Sequence, residues 1–258
     1  MSVFATEFPP LSHIVNWPGF AGTEGQWYEF NKIVLVYVIA IIMIGAFFFF
    51  GSRKKALVPR GTQNLAEIAV DFIEEGIVMD TMGEPGKKYS PFLLSLFLFV
   101  WFTNIFGIIP VVQMPASARI ALPLFLALLA YFVYHISGMI EHGPLKYFKH
   151  ALVPPGVPAA LLLLVVPIEF ISKFLVQPFS HTVRLFANML AGHILLVTFG
   201  VLTAALIGTG VLATVVGVLP LVALIFFTLF EVLVAFLQAY VFTLLTGVYI
   251  NAAISHDH

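Results

Sequence analysis

Between Ala159 and Ala253 only four charged side chains occur, Glu169, Lys173, Arg184 and Glu231. His181, Asn188, His193 and Gln238 accompany them in an otherwise strongly apolar stretch. A charge at the centre of a bilayer costs about 2.5–3.5 kcal/mol on insertion scales, so such residues mark ion pathways by default. Each has a plainer alternative. Glu169 and Lys173 stand at i, i+4 in the favourable order and serve equally well as an interfacial ion pair. His181 and His193 also read as interhelical hydrogen-bonders, and Asn188 and Gln238 as polar glue between helices. Arg184 is harder to dismiss. Its guanidinium stays charged in any protein environment, and no carboxylate stands three or four positions away.

Helical geometry orders these residues. At about 100° per residue, Lys173, His181 and Asn188 fall within about 60° of Arg184 on a straight helix, while His193 falls about 180° away. Glu231 and Gln238, two turns apart, share a face of the last helix. When the two segments are paired as an antiparallel hairpin, Arg184 comes level with Gln238 and His193 with Glu231 at nearly the same register. The implied turn lies near residue 211, beside Gly208 and Gly210, which suit a helix stop. Two polar clusters follow, an Arg184–Asn188–Gln238 centre and a His193–Glu231 pair, separated by roughly 13 Å of helix. The arginine has no proton to give, whereas the histidine and glutamate can titrate and relay one.

The elements that must position them are set by composition. The 258 residues are 60% hydrophobic and only 10% charged, against about 25% charged in a soluble domain. Too little polar surface exists to cover a globule in water, so the solvent is lipid. The net charge of −1 forms no basic patch and excludes nucleic acid as a partner, and the absence of cysteine excludes disulfides and thiolate sites. The N-terminus has neither a signal peptide's basic start and cleavage site nor a transit peptide's character, so the first span is expected to serve as its own insertion signal, in a bacterial cell.

A span needs about 20 apolar residues. An N-terminal segment over 1–32 is followed by a first span over 33–50 and then by Arg53, Lys54, Lys55 and Arg60. Lys/Arg-rich flanks stay in the cytoplasm, so the N-terminus is expected outside. Residues 51–90 form a cytoplasmic loop. In it Leu65, Ile68, Ala69, Phe72, Ile73 and Ile77 recur at helical spacing opposite Asn64, Glu67, Asp71, Glu74 and Glu75, an amphipathic surface helix started by Asn64 with Glu67 three residues on. Residues 91–140 hold the second and third spans, the second running to about Val112, with the turn QMPASAR outside; 141–158 return to the cytoplasm. Residues 159–253 form the hairpin and 254–258 the tail. Its two apolar runs are too long to cross upright, so each is either broken, for instance near Pro178, or steeply tilted. The fold class is an all-α integral membrane protein of about five membrane helices plus a cytoplasmic amphipathic helix.

The segment QPFSHTVRLFANMLAGH and the closing FEVLVAFLQAYVFTLLTGVYI resemble subunit a of F-type ATP synthases. The second span, FVWFTNIFGIIP, matches that family's Asn–x–x–Gly–x–x–Pro ending. The likeness covers the span order of nearly the whole chain and is most specific around Arg184. It implies that Arg184 faces the proton-carrying carboxylate of a rotating c-subunit ring and keeps two aqueous half-channels from short-circuiting. It also implies long, steeply tilted last helices and a proton path through His193, Glu231, Asn188, Gln238, Glu169, His181 and Lys173. Peripheral-stalk b-type subunits are implied as further partners, with the chain in the bacterial inner membrane and its C-terminus in the cytoplasm. Family members differ over this pair, some placing an acid where His193 stands and a histidine where Glu231 stands; this chain has the exchanged order, which supports their contact. Glu169 departs by standing one residue further from Arg184 than the family's acid.

The function expected is that of a non-catalytic, proton-translocating stator subunit. No Gly-rich phosphate loop is present, so no nucleotide, cofactor or metal is expected on this chain. The rival is a proton-coupled secondary transporter, whose fold would show internal repeats with matching broken helices; none is visible. The topology has a direct test. A cysteine replacing Lys54, the chain's only thiol, should resist an impermeant maleimide added outside intact cells and react once the membrane is opened.

Overall fold

The computed structural model describes residues 32–53, 60–109, 116–153 and 157–255. Residues 1–31, Lys54, Lys55, the first three residues of the QMPASAR turn and the final tail residues lie outside the described residues. Every regular element among those described is helical. This follows from the solvent: in hydrocarbon each backbone N–H and C=O has to be satisfied within its own segment, and a helix does that locally.

The elements in chain order are α1 (Lys32–Ser52), α2 (Thr62–Ile73), α3 (Ser90–Ile105), α4 (Ala121–His142), α5 (Pro144–Leu152), α6 (Ala159–Phe170), α7 (Gln177–Leu206) and α8 (Val211–Ile254). A π-helical turn at Glu74–Met79 and 3₁₀ turns lie between α2 and α3, and a second π-helical turn at Ile171–Val176 joins α6 to α7. Five stretches are long and apolar enough to cross a membrane: Ile33–Ser52, Glu84–Ile105, Ala121–His142, Leu161–Leu206 and Val211–Ile254. The chain is thus an all-α integral membrane protein. Its last two long stretches have 46 and 44 residues, which at about 1.5 Å per residue is roughly twice the hydrocarbon thickness.

The residues gather into two compact units. Unit 1 takes residues 1–42, 100–119 and 186–238, and unit 2 takes 43–99, 120–185 and 239–258. In unit 1, Val100, Met189 and Ala235 are buried, and Trp101 meets Phe236 edge-on at 6.0 Å between ring centroids. Ser117 donates to Asn104 Oδ1 at 2.6 Å, tying the segment beyond α3 back to it. In unit 2, Ile73, Ile77, Leu93 and Phe242 form the core. Phe72 contacts both Phe97 and Tyr240 there.

The structure departs from the sequence reading in four places. The long run over 159–207 is not broken at Pro178 but stays helical through a π turn just before it. A proline has no N–H to donate and its ring crowds the carbonyl four residues back; widening the preceding turn relieves that clash without leaving the helix. The second span ends as a regular helix at Ile105, short of Val112, in turns closed by Gly107 N–H on Asn104 O and Ile108 N–H on Ile105 O. Helix α2 starts at Thr62 after Gly61, whose φ of 65° only glycine adopts easily, and Asn64 does not cap it. Gln63 instead donates to Glu67 at 2.9 Å.

The fourth departure is α5, a nine-residue helix within what reads as a loop. Pro144 at its first turn is preorganised for a helix start. The apolar stripe of α2 also divides. Ile73 and, in the π turn that follows, Ile77 are buried while Leu65 and Ile68 are exposed, because the helix has protein on one side only.

Glycine sets one close approach. A Cβ at Gly138 on α4 would strike the Tyr147 ring of α5 and crowd the Ala253 carbonyl of α8. Gly138→Ala should therefore destabilise the purified chain in detergent by about 1–3 kcal/mol, an overpacking cost read as a lower thermal midpoint. Gly45→Ala, where nothing lies within 4 Å of the added carbon, should leave the midpoint unchanged or raise it.

Candidate functional site

The polar residues of the last helices fall into one group in each unit. In unit 1 the turn between α7 and α8 carries Gly208 at φ 90°, a left-handed position suited to glycine. The helices leave it antiparallel: a Cβ at Gly217 would lie against Leu206 and Ile207, and Phe199 stacks on Phe227 at 5.3 Å. Further from the turn, Asn188 donates to Gln238 Oε1 at 2.6 Å. Between these levels lies Glu231, 7% exposed. Its carboxylate lies directly over Gly192, where any Cβ would collide with it. His193, the next residue, is buried as well.

Gln238 is almost fully enclosed, and its Nε2 has no hydrogen-bond partner among the described residues. The same holds for Asn104 Nδ2. Buried donors are nearly always paired, and an orphan costs about 1–3 kcal/mol. Donors of this kind are open to water or to an incoming acceptor.

In unit 2 the remaining candidates separate by face. His181 is buried against Phe242, with ring centroids 3.9 Å apart, and its Nε2 lies 3.4 Å from Thr246 Oγ1. Arg184 is exposed. None of the ion pairs among the described residues includes it. The single polar stripe expected from a straight helix is therefore divided: the three-residue step from His181 to Arg184 carries the side chain from the packed face to the open one. Lys173 lies inside the π turn, where the ordinary helical angle no longer applies. It is held by Glu169 at 3.0 Å and donates to Ala151 O at 2.7 Å.

Three residues of this region escape a reading by charge. Gly192, Thr246 and Phe242 carry none, yet they set where Glu231 and His181 sit. A small residue beside His193 was the only signal for the first, and the four- and eight-residue steps from Gln238 to Phe242 and Thr246 were weak signals for the others.

The fold and the site define a class: a multi-span membrane protein that carries a few ionisable groups within the long apolar helices of its last hairpin. The family of ATP synthase A chains matches residues 33–251, and the chain belongs to that family. ATP synthase subunit a of Rhodococcus erythropolis is 45% identical over 232 residues, covering 89% of this chain and 84% of that protein. The subunit a of a Nocardioides species is 35% identical across 97% of this chain and 94% of its own length. That of Gluconacetobacter diazotrophicus is 39% identical across 91% and 92%.

The contact between Glu231 and Gly192 can be measured. Gly192→Ala should lower the thermal midpoint of the wild-type chain by an overpacking cost of about 1–3 kcal/mol. In a Glu231→Ala background the same substitution should cost almost nothing, because the group it strikes is gone. Additive effects would separate the two residues.

Proposed function

We propose that this chain is the proton-translocating stator subunit in the membrane sector of a rotary ATP synthase. The observation that carries this reading is Arg184: a permanent charge in an apolar helix, exposed, and outside every ion pair among the described residues. Its insertion cost is tolerable only if it meets a negative partner. That partner is a carboxylate on another chain, the c-subunit ring of the assembly in which the family works.

The mechanism follows from what each group can do. Protons enter from outside past His193 and Glu231, two buried titratable groups packed at one level of the hairpin. Gln238, with its orphan donor, and Asn188 line the way to the ring and hold water there. The ring carboxylate is neutralised, carried round through lipid, and discharged toward the cytoplasm past His181, Lys173 and Glu169. Arg184 attracts each carboxylate as it ionises and bars a direct crossing between the half-channels. The drive is about 2.3 kcal/mol per charge per 100 mV. The long α7 and α8 lie inclined in the membrane, which fits their length to its thickness and lays them along the ring. The N-terminus is outside and the C-terminus cytoplasmic, peripheral-stalk b-type subunits hold the chain still, and catalysis is left to other subunits.

Arg184→Ala in the assembled complex should abolish proton-driven ATP synthesis while vesicles stripped of the catalytic head keep or increase passive proton leak. Arg184→Lys should fail too, since it loses the planar fork and sheds its proton more readily in lipid. Near wild-type synthesis by Arg184→Ala vesicles would overturn the reading.

A further inference from the structure

Unit 2 contains a cavity of about 270 Å³ bounded by α4, α5, the π turn at 171–176 and the end of α8. A water occupies about 30 Å³ of liquid, so the space takes a phosphate group and several waters. Lys146, Lys173, His142 and His150 border it, Lys173 held by Glu169, and no carboxylate lines it among the described residues.

Two buried groups add directed donors. Tyr134 and His135 are 5% and 6% exposed and border the cavity. Tyr134 Oη and His135 Nε2 have no hydrogen-bond partner among the described residues. The His135 ring is fixed on both sides, stacked on Phe174 at 4.9 Å and with Nδ1 2.7 Å from Tyr147 Oη. Burial pushes the Tyr147 phenol up to about 12, so it stays protonated. In the tautomer in which Tyr147 donates to Nδ1, the His135 proton sits on Nε2, the ring nitrogen left for a ligand.

Lys146, outside every ion pair among the described residues, together with imidazoles and buried hydrogen-bond donors, supplies the chemistry of phosphate recognition. Basic pockets between membrane helices take phospholipid headgroups in this way. The surroundings distinguish a lipid from free phosphate. On α5, the helix that supplies Lys146 and His150, Leu145 is 89% exposed and Phe148 is exposed too, and Ile140 on α4 is likewise open. Apolar side chains beside a basic pocket suit acyl chains, and a free ion has no use for them. We propose that this cavity binds the headgroup of an anionic phospholipid. Lys146 and His150 hold its phosphate, and Tyr134 and His135 donate to it from within. The lining holds none of Arg184, Glu231 and His193, and it shares Lys173 with the cytoplasmic exit path proposed above.

Native mass spectrometry of the purified full chain, titrated with phosphatidylglycerol, tests this. Wild type should retain one such lipid and should not retain phosphatidylcholine. Lys146→Gln with His150→Gln should weaken retention about tenfold or more, while Lys149→Gln, on the same helix but outside the cavity, should change it by less than about twofold. Tyr134→Phe removes a donor without altering charge and should weaken retention severalfold. Equal retention of phosphatidylcholine, equal loss on Lys149→Gln, or unchanged retention in both cavity variants would overturn the proposal. Displacement of the lipid by inorganic phosphate at matching concentration would assign the site to the free ion and overturn the lipid.

Discussion

Hydrocarbon offers no hydrogen bonds, and most of what this chain does follows from that one constraint. Its backbone has to be satisfied inside each helix, so every irregularity needs a local repair. Pro178 is the clearest case. Where a soluble protein could break the helix, this one inserts a π turn over 171–176 and continues as α7. The repair has a consequence for the site, because Lys173 sits within the widened turn and is held by Glu169 and the Ala151 carbonyl.

The same constraint makes polar side chains conspicuous. Asn188 donates to Gln238 Oε1, and Thr182, Thr243 and Thr246 return their hydroxyls to carbonyls of the preceding turn. Against that background the exceptions stand out: an exposed guanidinium, a buried glutamate pressed on a glycine, and the orphan donors of Gln238, Tyr134 and His135. Each departs from what a purely structural membrane helix would tolerate. They fall into two sets. One lies in the hairpin of α7 and α8, for which we propose proton transfer, and the other borders the cavity beside α5, for which we propose a lipid headgroup.

Small residues decide how closely the helices approach. Membrane helices gain little from burying apolar surface against each other, so packing relies on close contact. Gly138 admits the Tyr147 ring, Gly247 lies against Thr81 and Ile77, and Gly192 admits the Glu231 carboxylate. The first two hold unit 2 together. The third spends the same device on an ionisable group.

The sequence by itself determined the solvent, the class of fold, the spans and the candidate residues. Composition and run length carry these, because lipid selects on them directly, and the segment around Arg184 carries the family. The positions of Asn188 and Gln238 were legible as one level of a hairpin, since helical rise is nearly constant. Tertiary structure alone decided the rest. Whether Pro178 breaks a helix depends on the cost of a wider turn against that of unsatisfied backbone. Whether His181 and Arg184 share a face depends on which side α8 covers, and it covers His181. Which side of α2 meets protein, that residues 144–152 coil, and that Tyr134, His135, Lys146 and His150 enclose one cavity all depend on contacts between residues far apart in the chain. Spacing along one helix says nothing of those.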